Sequence, residues 1–305
     1  MPTAAKRTPK KKSKTSKASD AIQVLRGEVF AKVPWLVHGF STRPGGVSTC
    51  YGGKSLNLGH TAHDMHANVE RNRVLFEREV GAVDRDGTVW PLAQVRQIHS
   101  AIVRRVDGET ADVPAGDGLI TNTLGLLLAI KTADCVPVLV ADVQRRVVGA
   151  FHAGWRGTVA RIVEKGVGEM RRQFGCEPAD LRAAIGPCVR KCCYRVGEEV
   201  RAEFESQFGY AAELFEEVFD SKALHIKYPL LFLNQRAPGH GDTGPEIHLD
   251  LVAANRRQLE DAGLSPGSIE VIEGCTSCDT RRFFSHRAEF GKTGRMMAVI
   301  GMRPE

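Results

Sequence analysis

The 305-residue chain is 42 % hydrophobic and 26 % charged, proportions ordinary for a soluble globular protein. Its best apolar runs, Leu124–Ile130 and Val136–Ala141, fall far short of the roughly 20 residues of a membrane-spanning helix, so no such helix is expected. The formal charge of +6 is concentrated at the N-terminus: residues 1–17 hold seven Lys and Arg and no acid, leaving about −1 for everything else.

Residues 1–20, rich in Lys, Ser and Thr, cannot bury apolar area and are expected to form a disordered basic tail. This is the one part of the chain suited to nucleic acid or an anionic surface. No apolar core follows it, so no secretory signal is expected and the location read from the sequence is cytoplasmic. Val33–Phe40 reads as a strand entering the turn-rich Ser41–Ser48, where Gly45-Gly46 permits positive φ and close approach of backbone to a ligand. The loop Tyr51–Gly59 precedes a helix over Met65–Val80, for which Asp64 is the expected N-cap. Strands are predicted at Val89–Gln97, Ile102–Val106, Gly118–Thr121, Gly125–Thr132, Val136–Ala141 and Val147–His152. Thr158 is placed to cap the next helix, whose Val159, Ile162, Val163, Val167 and Met170 keep a helical period to about Phe174. Ala183–Ile185 is a short strand, Val196–Phe208 and Leu249–Ala262 are helices, and Ile269–Glu273 and Met296–Met302 are short strands. Ala237–Pro245 reads as an exposed Pro/Gly loop. Clustered strands broken by single helices argue for an α+β (mixed-sheet α/β) fold, one globular domain over residues 21–305.

The chemistry concentrates in Gln97–Ser100, Thr132–Pro137 and Phe151–Gly157, each a polar centre at the edge of an apolar segment. His99, Cys135 and His152 would fill three corners of a tetrahedral zinc site and leave the fourth open for water or substrate. The same residues also suit a thiol hydrolase, with Cys135 as nucleophile and either histidine as base. Gln97 and Asp134 are candidate partners to fix an imidazole tautomer or a water. Arg43, Arg156 and Arg287, set beside Gly, Ser and aromatic residues, are candidate forks for phosphate or carboxylate. For Ser41, Asn57 and Asp117 turn-capping is the default reading and substrate contact the minority one. Among the eight cysteines, Cys192-Cys193 and the Cys275-Thr-Ser-Cys278 spacing, with Cys188, offer a four-sulfur zinc site; reduced, partly buried thiols are the preferred reading.

The ordered set His38–Ser48, Ser55–Gly59, Gln97–Ser100, Ala115–Thr121, Thr132–Pro137, His152–Gly157, Ile185–Cys188, Cys275–Cys278, Phe283–Arg287 and Thr293–Arg295 resembles the laccase-domain family over about residues 33–303. Members of that family were first described as multicopper polyphenol oxidases and peptidoglycan editing factors. They are now understood as zinc-dependent purine nucleoside phosphorylases with adenosine deaminase and methylthioadenosine phosphorylase side activities. The resemblance implies a cytoplasmic single-domain protein acting on a nucleoside and phosphate, with Zn2+ on His99, Cys135 and His152. It implies catalytic roles around Cys135, Asp134 and Arg43, and substrate contacts from Ser41, Arg43, Asn57, Arg156 and Arg287. Ala288-Glu289-Phe290 and the stretch Lys222–Pro245 depart from the family pattern. Alternatives are copper-dependent phenol oxidation, a cysteine amide hydrolase of cell-wall precursors, and a non-catalytic zinc-stabilised binding protein. The copper reading is chemically poor, because a laccase needs a multicopper cluster and ten histidines in the whole chain do not outline one.

Overall fold

In the computed structural model, which describes residues 21–108, 113–218 and 245–304, alternation along the strands sorts their side chains onto two faces. The first sheet runs in spatial order Val24–Leu25, Leu36–Ser41, Met296–Met302, Leu127–Thr132 and Leu92–Ala93, antiparallel except for its last pair. The second runs Ile269–Val271, Leu181–Ile185, Val136–Asp142, Val147–Ala153, Gly118–Thr121 and Val103–Arg105, antiparallel within and parallel at both edges. Arg195–Val196, Glu246–Leu249 and Phe215–Val218 make a small antiparallel sheet. The mixed-sheet α+β expectation is met.

The layers follow from the alternation. Phe40, Leu128, Ile130, Ala298 and Ile300 of the first sheet meet Leu119, Leu139, Ala141, Val148 and Ala150 of the second in one buried cluster. The far face of the first sheet, with Val37, Leu127, Ala129 and Val299, is covered by the helix His66–Val80 through Phe76 and Val80. Val138, Val140 and Phe151 on the far face of the second pack under the helices Ile162–Phe174 and Leu251–Asp261. Full burial of each such side chain stabilises by roughly 1.5–3 kcal/mol, which fixes the strand ends that carry the site.

Several local expectations shift. The strand read over Val89–Gln97 shrinks to Leu92–Ala93, and Pro44–Ser48 is itself a strand. Gly45 and Gly46 do take positive φ, but what approaches Gly46 is the protein: a Cβ there would lie 2.6 Å from Asn72 Oδ1, which accepts from Val47 N–H. Met65, not Asp64, is the N-cap of the first long helix; Asp64 instead accepts from Ser48, Asn57 and Asn68. Thr158 does not cap either. It lies inside the short helix Trp155–Val159, and its hydroxyl accepts from Asn255. The basic tail at residues 1–20 lies outside the described residues, as does the Pro/Gly loop except for Pro245.

Candidate metal centre and its pocket

The chain crosses from the first sheet to the second at Ala133–Cys135, between Leu127–Thr132 and Val136–Asp142. His152 is the penultimate residue of the neighbouring strand Val147–Ala153, and Val136 pairs with Ala153 across the ladder. This register sets Cys135 beside His152. His99 arrives from the loop after Leu92–Ala93 in a left-handed conformation with φ 59°. The ligand atoms of His99, Cys135 and His152 all lie within 4.8 Å of one another, and His99 Nε2 stands 3.9 Å from Cys135 Sγ. For Zn–N near 2.1 Å and Zn–S near 2.3 Å, tetrahedral geometry puts N and S about 3.6 Å apart. The donor set therefore fits one small ion, and the approach needs Gly154, where a Cβ would stand 2.9 Å from His99 Cδ2 and 3.1 Å from Cys135 Sγ.

Asp117 holds the centre together, a role Gln97 and Asp134 were expected to share. Its carboxylate accepts from the backbone N–H groups of Ile98, His99 and Ser100, from the Ser100 hydroxyl, and from His152 Nδ1 at 2.9 Å. The last bond leaves His152 Nε2 to face the cysteine. Although burial opposes it, these donors hold the Asp117 carboxyl down at about 2. Burial likewise pushes the Cys135 thiol up and His152 down. Their mutual attraction, with help from Asp117 and His99, outweighs it and brings Cys135 to about 6 and His152 to about 9. Gln97 is committed elsewhere, exchanging two hydrogen bonds with the Lys131 backbone.

Asp134, left-handed at φ 90°, lines the pocket, but its carboxylate is engaged by Thr276 and Ser285 hydroxyls at 2.6 and 2.7 Å and by Arg287 N–H at 2.7 Å. It ties the segment 276–287 to the candidate metal corner. The three donors open into a cavity of about 580 Å³, whose lining includes Arg96, Lys131, Tyr194, Arg287 and Arg295. Burial, then the nearby Arg73 and Arg295 charges, pushes the Lys131 ammonium below its usual range. Four cations around a cavity whose one lining carboxylate is already engaged make an anion-attracting site.

Of the arginines singled out from sequence, Arg287 lines the cavity, with its guanidinium 5.1 Å from the Tyr194 ring. Arg43 does not reach it: its guanidinium is spent on Glu289 and on the carbonyls of Thr280 and Tyr51, over the Phe284 ring. Arg156 is exposed and stacks on Trp155 at 4.3 Å. Ser41 and Asn57 are buried inside the fold, Ser41 accepting from Met297 N–H and Asn57 from Gly59 and Arg295 N–H. Asn57 thus positions two lining residues without touching the cavity. Sequence reasoning missed Arg96, Lys131, Tyr194 and Arg295. Two of them carried a signal: Lys131 as a single charge at the end of an apolar strand, and Arg295 as the last residue of the Thr293–Arg295 motif.

Two facing mixed sheets with a His-Cys-His corner at their junction define a protein with a candidate metal site opening into a cationic pocket. Comparison carries this further. A family model described as multi-copper polyphenol oxidoreductase laccase matches residues 37–303, and the chain belongs to this laccase-domain family. A purine nucleoside phosphorylase of Deinococcus radiodurans is 38 % identical over 267 residues, 87 % of this chain and 88 % of that protein. The purine nucleoside phosphorylase YlmD of Geobacillus stearothermophilus is 34 % identical over 87 % of this chain and 92 % of its own length. The crystal structure of YlmD superposes with a TM-score of 0.73, covering 95 % of this chain and 98 % of that one. Adenosine deaminase RL5, from an unknown prokaryotic organism, is 32 % identical over 89 % of this chain and 96 % of its own. No helix among the described residues is long and apolar enough to cross a membrane.

Proposed function

We propose that the protein is a zinc-dependent purine nucleoside phosphorylase, converting inosine, guanosine or adenosine with phosphate into free base and ribose 1-phosphate. Adenosine deaminase and methylthioadenosine phosphorylase side activities go with this reading, as does a cytoplasmic location. The observation that carries it is the juxtaposition of a three-donor metal corner with a cavity lined by Arg96, Lys131, Arg287 and Arg295. Zinc, held by His99, Cys135 and His152, would supply Lewis acidity at the open corner.

The chain's own residues divide the remaining work. The cationic lining is suited to hold phosphate in line with the C1′–N9 bond, turning a two-substrate attack into a positioned one. The same charges oppose dissociation of the phosphate and exclude competing cations. Tyr194 offers an aromatic face beside Arg287 for the base or ribose. Asp117 keeps His152 in the tautomer that ligates through Nε2. Asp134 and Arg43, candidates for catalysis from the sequence, support it in this reading by position: Asp134 seats Arg287, and Arg43 anchors Glu289, whose second oxygen accepts from Thr293.

The test is hypoxanthine release from inosine with and without phosphate. Strict phosphate dependence with ribose 1-phosphate as co-product is expected; equal rates without phosphate would make the protein a nucleoside hydrolase. Cys135, His152 and Asp117 also form a thiolate–imidazolium–carboxylate series, which favours a cysteine hydrolase as the second reading. Zinc content separates the two, since the hydrolase retains full activity when stripped of metal. Copper oxidase chemistry fares worse on donors: among the described residues the one other histidine-bearing group is the exposed or half-buried His60, His66 and Glu70. That is too few imidazoles for a multicopper cluster.

A further inference from the structure

Away from the pocket, two loops bring four sulfurs together. Cys192 and Cys193 lie in the turn after Leu181–Ile185, and Cys275 and Cys278 in the turn after Ile269–Val271. Their ligand atoms all stand within 4.8 Å of one another. Individual separations are 3.3 Å for Cys193–Cys278, 3.6 Å for Cys192–Cys278 and 3.8 Å for Cys192–Cys193. A disulfide requires about 2.05 Å between sulfurs, so none of these pairs is bonded. Four sulfurs at about 2.3 Å from one zinc ion stand about 3.8 Å apart along the edges of a tetrahedron. The spacings match that tetrahedron and are too tight for a polynuclear iron–sulfur cluster, whose cysteine sulfurs stand on its outer corners.

Backbone donors gather around one of the four sulfurs. Arg190 N–H donates to Cys275 Sγ at 3.4 Å, and the backbone N–H groups of Ser277 and Cys278 also favour a charged Cys275 sulfur. The Arg190 guanidinium clamps the second loop through Gly274 and Ile272 carbonyls. Cys188, grouped with these cysteines in the minority reading of the sequence, stays outside: its backbone bridges to Cys275 while its buried thiol is not part of the group.

We propose that Cys192, Cys193, Cys275 and Cys278 bind a second zinc ion in a closed four-thiolate site that pins together two loops, one leading into the pocket-lining Tyr194 and the other holding the pocket-lining Asp134 through Thr276. Four soft ligands in a tetrahedron select zinc and leave no corner for substrate, which marks the site as structural. What it pins is specific. Tyr194 follows Cys193, and Thr276, next to Cys275, donates to Asp134. The thiols deprotonate as the ion binds, so loading releases protons and is lost in acid.

The experiment is elemental analysis of full-length protein purified under reducing conditions, as wild type, Cys135→Ala, and Cys192→Ser/Cys278→Ser. About two zinc ions per chain are expected in wild type and about one in each variant. Cobalt loaded into Cys135→Ala should give the intense charge-transfer and d–d bands of a tetrahedral tetrathiolate, a readout that needs no disruption of the cluster. Chelation should lower the Tm of Cys135→Ala. Failure of the nucleoside reading, with no metal on His99, Cys135 and His152, leaves one zinc in wild type and in Cys135→Ala but none in the double serine variant. The proposal is overturned if Cys135→Ala holds neither zinc nor the cobalt spectrum. It is equally overturned if intact-mass analysis of freshly reduced and zinc-exposed protein shows a Cys193–Cys278 disulfide instead of metal.

Discussion

Two buried histidines on facing sheets show what separates a candidate ligand from a core residue. His38 lies in Leu36–Ser41 and His152 in Val147–Ala153, with 6 % and 3 % exposure. Burial is nearly equal and penalises the imidazolium in both. His38 Nε2 accepts from Gly27 N–H, its ring stands edge-on to Phe30, and the Arg26 charge is near; burial, then that charge, drives its pKa down to about 4. His152 has a carboxylate on one nitrogen and a thiol near the other, and ends at about 9. The partners, not the burial, decide the role. A neutral acceptor inside a strand is structure; an imidazole aimed by Asp117 at Cys135 is chemistry.

The sharpest way to break this contrast is substitution at the corner. Cys135→Ala and His152→Ala should each remove the metal from this centre and reduce nucleoside phosphorolysis to background, checked by metal content and product release together. Activity lost with this metal fully retained would instead support the nucleophile reading. Asp117→Asn keeps the shape but weakens the aiming bond; metal affinity or activity should fall about 10–100-fold, measured by competition with a chromophoric chelator. If affinity is unchanged, Asp117 serves the loop at Ile98–Ser100 and not the ligand.

Next in size are the lining cations. Arg295→Ala or Lys131→Ala should raise KM for phosphate by about 10-fold or more, as expected for losing a charge-assisted hydrogen bond of roughly 1.5–3 kcal/mol. The KM for inosine should move less. An equal rise in both would place these residues on the nucleoside.

The smallest effect on activity belongs to His38, whose titration concerns stability alone. A histidine whose folded pKa is depressed contributes fully above its unfolded value near 6.5, and that contribution is lost as pH falls toward about 4. Relative to His38→Gln, wild type should lose about 3 kcal/mol across that window, measured by denaturant unfolding at a series of pH values. A difference that does not change with pH would show that His38 titrates normally, and the contrast with His152 would fail. His38 stands apart from the pocket, so the specific activity of folded variant should be preserved.

Much of the fold was legible because apolar runs such as Gly118–Thr121, Val136–Asp142 and Met296–Met302 are strands buried on both faces, unmistakable even without partners. The strand expected over Val89–Gln97 shortens to Leu92–Ala93 because its flanks bond to neighbouring loops instead of a ladder: Trp90 N–H to Ala82 and Arg96 N–H to Pro114. The candidate metal corner was legible in its three donors, each at a strand edge, which the fold brings within 4.8 Å of one another. Its positioning was not. Asp117 looked like a turn-capping residue because its partners lie 17 to 35 residues away, and Arg43 looked like a phosphate fork until Glu289 and two carbonyls claimed it.

By itself the sequence determined the chemical alphabet: two imidazoles and a thiolate at strand ends, and apolar strands that must stack into sheets. Period-2 burial and ligand chemistry are local properties, readable residue by residue. Which carboxylate aims His152, which arginines face the cavity, and which cysteines gather into one cluster were decided only by tertiary structure. Each of those outcomes depends on register between strands and on loops packed from opposite ends of the chain. A one-residue slip of the Val136–Ala153 pairing would turn His152 to the other face of its sheet, leaving the same residues without a site.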